Sequence, residues 1–268
     1  MQNLFDVKDK VIVITGGGGV LAGTLARYFV KQNAKVIALD LRQEGIDALK
    51  ADCPDVDGFT ANVLDQASLD EVSAKIAAKY GRVDVLLNGA GGNMPGATIA
   101  PDQTIFDLQL DAYDKVVALN LKGTVMPSIT FAKIMVKQEK GGCIVNFSSM
   151  SATQALTRVI GYGNAKAAID NFTRALATEL GMKFDGKIRV NAIAPGFFIG
   201  NQNRALLLNP DGSYTQRGNQ VISKTPMGRF GDASEICGCI HYLISDASSF
   251  VTGTIIPVDG GFSAFTGV

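Results

Sequence analysis

Seven short apolar runs recur along the chain, and segments with helical spacing lie between most of them. They are KVIVIT, AKVIALD, GFTANV, RVDVLLN, GGCIVNFSS, KIRVNAIAP and GTIIPVD. The intervening helical segments cover Val20 to Lys31, Gln43 to Lys50, Gln66 to Tyr80, Leu110 to Gln138, 161–183 and Ala233 to Ser245. In the first of these, Leu21, Leu25, Tyr28 and Phe29 share one side. Strands that are apolar throughout, rather than alternately, must be buried on both faces. The pattern therefore predicts an α/β, doubly wound fold: a seven-stranded parallel sheet with helices on both faces. It does not break at mid-chain, so residues 1–268 are read as one domain. Periodicity does fail from Gly196 to about Arg229, where Asn, Gly and Pro cluster. So long an irregular stretch in a compact domain predicts a functional segment, a substrate lid over about 197–229.

Composition excludes several functions. Apolar residues make up 47% of the chain and its formal net charge is zero, so nothing draws it to phosphate backbones or acidic membranes. Nucleic acid is not an expected partner. The first ten residues carry charges and lead straight into a strand, with no signal-peptide core, and no run reaches the roughly 18 apolar residues of a membrane helix. A cytoplasmic location is expected. Cys53, Cys143, Cys237 and Cys239 lack a paired spacing and read as reduced packing residues. His241, the only histidine, lies in an apolar helical run and reads as a half-buried helix residue. No metal site and no Ser-His-Asp hydrolase fit this inventory.

The first strand runs into TGGGGVLAG and then a helix. Glycines here let the backbone approach a pyrophosphate, while the helix N-terminus offers N–H donors and partial positive charge. Gly17, Gly19 and Ala22 satisfy the G-x-G-x-x-G/A spacing, although glycine runs also make ordinary turns. The next strand ends in Asp40, about 20 residues on, where a carboxylate takes both ribose hydroxyls and repels a 2′-phosphate. The arrangement is Rossmann-type, and the expected cofactor is NAD rather than NADP. Arg42 nearby could nevertheless accommodate a phosphate, and an acid at a strand end can also be a helix cap.

Together these residues resemble the short-chain dehydrogenase/reductase (SDR) family. Thr15-Gly16 opens the family's glycine loop, Leu87-Asn88-Gly89-Ala90-Gly91 resembles its N-A-G strand end, and Ser149 lies thirteen residues before Tyr162-Gly-Asn-Ala-Lys166. The likeness continues through Asn191-Ala-Ile-Ala-Pro195-Gly196 to Val258-Asp259-Gly260-Gly261. Val20 and Ala22 depart from it, standing where the family usually has its second and third loop glycines. The resemblance implies a homotetramer and a cofactor site drawn from Gly16, Gly18, Gly19, Val20, Leu21, Asp40, Leu41, Asn62, Val63, Asn88, Gly89, Ala90, Tyr162, Lys166, Pro195, Gly196 and Phe198. It further implies catalysis by Asn120, Ser149, Tyr162 and Lys166. Asn120 would kink a helix and hold a relay water, and Ser149 would bond the substrate oxygen.

Tyr162 and Lys166 are four apart, hence on one helix face. A phenol with a pKa of about 10 is a weak base at neutral pH. An ammonium about 4 Å away, at an effective dielectric of about 20, would favour the phenolate by roughly 4 kcal/mol and bring it toward neutrality. The expected chemistry is hydride transfer between a nicotinamide and a carbinol carbon, with Tyr162 as proton carrier.

Within the family, GGGGVLAG, PGFFIGNQNRALLLNPDGS and DGGFSAFTGV resemble the branch of D-mannonate oxidoreductases (fructuronate reductases), which implies a sugar acid or polyol substrate. Met94 and Gly96 stand where that branch is expected to carry His and Lys, which puts mannonate itself in doubt. Asn93, Arg158, Asn203 and Arg204 are candidates for holding the substrate. Two alternatives stay open at this level, a 3-oxoacyl-[acyl-carrier-protein] reductase-like enzyme and a non-catalytic dinucleotide sensor.

Overall fold

The computed structural model describes residues 3–200 and 203–267. Seven strands form one all-parallel sheet in the order β3-β2-β1-β4-β5-β6-β7. They are β1 Val11–Thr15, β2 Lys35–Asp40, β3 Asp57–Thr60, β4 Val85–Asn88, β5 Gly142–Phe147, β6 Ile188–Pro195 and β7 Ile255–Val258. Strand order reverses between β1 and β4, so a crevice opens there at the carboxyl ends of the strands.

Successive side chains of each strand feed opposite faces. Ile12 and Ile14 of β1 join Leu25, Phe29, Leu87 and Ile240 in one core, while Val11 and Val13 join Ile76, Phe131, Met135 and Ile144 in the other. The first face is covered by α1 (Val20–Lys31), α2 (Gln43–Asp52) and, later in the chain, α9 (Cys237–Ile244); α3 (Gln66–Tyr80) covers the second. The expected doubly wound fold is present.

Three elements differ from the sequence expectation. The Leu110–Gln138 run is α4 (Leu110–Val117) and α5 (Gly123–Met135), separated by a π-helical turn over Ala118–Lys122. The third strand stops at Thr60 because Asn62 turns the chain, its Oδ1 accepting the Leu64 N–H at 2.9 Å. Between β6, which follows α6 (Ile160–Lys183), and α9 the chain is not wholly irregular, since it forms α7 (Arg204–Leu207) and α8 (Gln216–Ser223). Helices this short show too few turns for an apolar stripe to be read. His241 is half-buried on α9, its Nδ1 2.8 Å from the Tyr28 hydroxyl. No helix among the described residues is long and apolar enough to cross a membrane.

Candidate active site

At the β1 end of the crevice the chain passes Thr15 and bends at Gly16, whose φ of 70° suits glycine. A Cβ there would lie 2.8 Å from the Ala90 Cα, so the glycine loop rests directly on the turn after β4. Thr15 Oγ1 accepts the Ala90 N–H at 3.1 Å and ties the two together. Gly19 caps α1 without a side-chain bond, and the first turn carries no acid. The free N–H groups of Val20 and Leu21 thus form an uncapped, electropositive helix end, suited to an anion.

The Asp40 carboxylate stands beside this loop. It accepts N–H bonds from Gly18 at 2.9 Å and Arg42 at 3.0 Å. A carboxylate has about four acceptor positions, so it keeps capacity for two hydroxyls. Leu41 and Leu64 are exposed near the ends of β2 and β3, and Val63 is buried between them in sequence. These apolar edges suit a flat ring. The loop, helix end and carboxylate fit the diphosphate, ribose and base of a dinucleotide.

On the other side of the crevice, Tyr162 and Lys166 project one turn apart from α6. Lys166 is buried, and its Nζ donates to the Phe147 carbonyl at 2.7 Å. Ser149 follows β5; its Oγ accepts the Ser151 N–H at 3.1 Å, and its hydroxyl lies near enough to the Tyr162 phenol to favour the phenolate. Asn120 is fully buried in the π-helical turn, where its Nδ2 donates to the carbonyls of Gly92 and Val116, both at 2.8 Å, and its Oδ1 accepts the Gly92 N–H at 3.0 Å. A Cβ on Gly91 would lie 2.7 Å from Asn120 Oδ1 and 3.7 Å from Lys166 Nζ. Asn120 and Lys166 therefore meet at the bare backbone of Gly91, with the Tyr162 ring beside Lys166.

The electrostatics depart from the sequence expectation. The Tyr162 phenol is pushed up, not down, because burial disfavours the phenolate more than the Ser149 hydrogen bond favours it. Lys166 lies over the ring, 5.4 Å from its centroid, with its ammonium turned to Phe147 O. Burial also brings Lys166 itself down to about 8, opposed by the charge of Asp170. The expected lowering of the phenol is thus not found.

Other expected residues divide clearly. Asn88 is buried and its Nδ2 donates to Ser128 Oγ and Asn146 Oδ1, both at 2.8 Å, bracing the sheet, while its Oδ1 has no partner. Gly89 and Ala90 form the turn against Thr15. Gly196 is pressed against Asp259, and the adjoining Phe198 is buried and bridged to Gly231. Asn203 uses one bond from each end of its amide on its own loop, Nδ2 donating to Phe198 O and Oδ1 accepting the Gly200 N–H. Arg204 is exposed on α7. Asn93 and Arg158 do lie together, joined through Thr98 and Ile99.

The sequence reading missed Ser148, Ser151, Asp170 and Arg217. Ser148 donates to the buried Asp170, whose carboxyl is raised by burial. Its place one turn beyond Lys166 on the same face was a usable signal.

An anion-ready glycine turn at the switch point, across the crevice from the half-buried Tyr162 with buried Ser149 and Lys166, defines an α/β oxidoreductase of the dinucleotide-binding class. A family model described as Enoyl-(Acyl carrier protein) reductase matches residues 19–263. An oxidoreductase of uncharacterised activity from Haemophilus influenzae is 41% identical, with 98% of this chain and 96% of that protein aligned. The 3-oxoacyl-[acyl-carrier-protein] reductase of Thermotoga maritima is 34% identical over 95% of this chain and 98% of its own. A crystal structure of a Haemophilus influenza protein provisionally assigned as a D-mannonate oxidoreductase, with bound NAD, superposes with a TM-score of 0.90, at 41% identity and 98% coverage of both chains. The chain belongs to the short-chain dehydrogenase/reductase family.

Proposed function

We propose that this oxidoreductase uses NAD(H) to interconvert a secondary alcohol and a ketone of a sugar acid or polyol. The observation that carries the reading is the convergence of Ser149, Tyr162 and Lys166 beside the glycine turn that follows β1. Gly16 through Leu21 hold the diphosphate, Asp40 the adenosine ribose, and Leu41, Asn62 and Val63 the base. A carboxylate at residue 40 disfavours a 2′-phosphate, hence NAD over NADP. A bound nicotinamide supplies the hydride chemistry.

The chain's own groups manage the proton. Ser149 holds the substrate oxygen, and Tyr162 exchanges a proton with it. Lys166 steadies the phenol from its ring face and holds the nicotinamide ribose. Asn120 fixes the Gly91–Gly92 turn that walls the site. In the reductive direction the neutral phenol is already the acid the reaction needs. Residues 197–229 serve as the substrate lid.

The sugar-acid reading is supported by the likeness to the D-mannonate-type structure. Likeness to a carrier-protein reductase favours a second reading, a 3-oxoacyl thioester substrate. One experiment separates them: NAD and NADP turnover against a panel of hexonates, hexitols and 3-oxoacyl thioesters. NAD-linked turnover confined to the hexonates or hexitols is expected. NADPH-linked thioester reduction alone would overturn the proposal.

A further inference from the structure

Arg158 and Arg217 come from distant parts of the chain and meet beside the catalytic helix. Arg158 lies four residues before Tyr162, so their Cα atoms are at most about 14 Å apart. Arg217 belongs to α8, in the proposed lid, and its Nη1 donates to the Thr157 hydroxyl at 3.1 Å, next door to Arg158. Both are half-buried, and neither joins an ion pair among the described residues. Arg217 is held below its ordinary pKa, first by burial and then by the charge of Arg158. Two partly desolvated guanidiniums placed together without an acid are costly, unless an anion completes them.

The backbone strengthens the case. Arg158 is held at a φ of 77°, a strained value for a residue other than glycine. Reciprocal contacts with Ile99 keep it there: Ile99 N–H donates to the Arg158 carbonyl at 3.0 Å, and Arg158 Nε donates to the Ile99 carbonyl at 2.6 Å. With Nε engaged, the terminal nitrogens of Arg158 remain for a ligand. Among the buried side-chain atoms without partners are Asn93 Oδ1, on the loop that joins Arg158 through Thr98 and Ile99, and Ser151 Oγ, beside the catalytic helix. Exchanging the Asn93 amide ends still leaves one of them unpaired. Ser151 stands against the catalytic helix, its carbonyl 3.3 Å from a Cβ placed on Gly163. Buried polar atoms without partners are uncommon and mark places where a ligand supplies the bond.

We infer that Arg158 and Arg217 form a two-arginine fork for the substrate's carboxylate, with Asn93 and Ser151 taking its hydroxyls, so that the substrate is a polyhydroxy acid rather than a neutral polyol. This deepens the proposed function and rests on it for the reaction. Because Arg217 rides on α8 and Arg158 on the body of the protein, a bound carboxylate also pins the lid over the site.

The test is calorimetry on the NADH-loaded enzyme, where an alcohol-form acid binds without turnover. D-gluconate, D-mannonate and D-galactonate are each compared with the corresponding hexitol, in wild type and in R158Q, R217Q and R217K. At least one hexonate is expected to bind more tightly than its hexitol. R217Q and R158Q should weaken it by about ten- to a hundredfold, and R217K by less, since a charge remains without the fork. Arg217 lies on the lid, away from the core, so R217Q stays informative even if R158Q does not fold. The fork is overturned if wild type binds no hexonate better than its hexitol, or if R217Q keeps the wild-type affinity within about twofold. A failure of NAD-linked turnover with every hexonate and hexitol would instead defeat the proposed function, and the titration would still read the fork.

Discussion

At the scale of single residues, the decisive pair is Tyr162 and Lys166, and burial governs both. With the phenol raised above its ordinary value, its neutral form prevails around neutral pH. Ketone reduction, which needs the acid, should therefore run without a pH threshold between about pH 6 and 8. Alcohol oxidation needs the phenolate, so its kcat should climb by nearly tenfold per pH unit from about pH 6 to 7 and less steeply toward pH 8, where Lys166 loses its charge. Steady-state rates in both directions check this. An oxidation rate that stays flat across that range would mean the phenolate is already formed. The partnership of these two residues was visible in the sequence, because four-residue spacing puts them on one helix face. The direction of the tyrosine's shift was not, because spacing does not say whether an ammonium faces a hydroxyl or a ring.

At the scale of elements, the lid depends on close packing between α7 and α8. A Cβ on Gly218 would run into the Leu207 carbonyl oxygen, so Gly218→Ala must push α8 away from α7. The substrate KM should rise by about tenfold or more, with NADH affinity within about twofold of wild type. An unchanged KM would show that the lid does not act on substrate. The strands were legible because a run buried on both faces must be apolar throughout, as in β1 and β4. The break at Ala118–Lys122 was not legible from periodicity, since apolar residues continue through it and only the register slips; the family resemblance alone marked Asn120 as a kink. There Asn120 Nδ2 bonds the Val116 carbonyl and the Gly92 loop, contacts that sequence periodicity does not carry. The Arg158–Arg217 pairing was equally unreadable, because it joins a strained loop to a two-turn helix far along the sequence.

At the scale of the molecule, the crevice exists because strand order reverses between β1 and β4, and a ligand bridging its two walls should stabilise the whole fold. NADH at a hundred times its Kd should add about 2.7 kcal/mol to unfolding, seen as a rise in Tm. NADPH at the same concentration should add less, and Asp40→Ala should narrow that difference. Equal stabilisation by both cofactors in the wild-type protein would contradict the role given to Asp40. The central claim, that Tyr162 carries the proton beside a bound dinucleotide, is tested most directly by Tyr162→Phe. Its measurement is single-turnover nicotinamide absorbance with a substrate found active in wild type, under a saturating NADH concentration set by a binding titration. Near-wild-type cofactor affinity with hydride transfer slowed by about a thousandfold or more is predicted. Transfer at close to the wild-type rate would contradict the account.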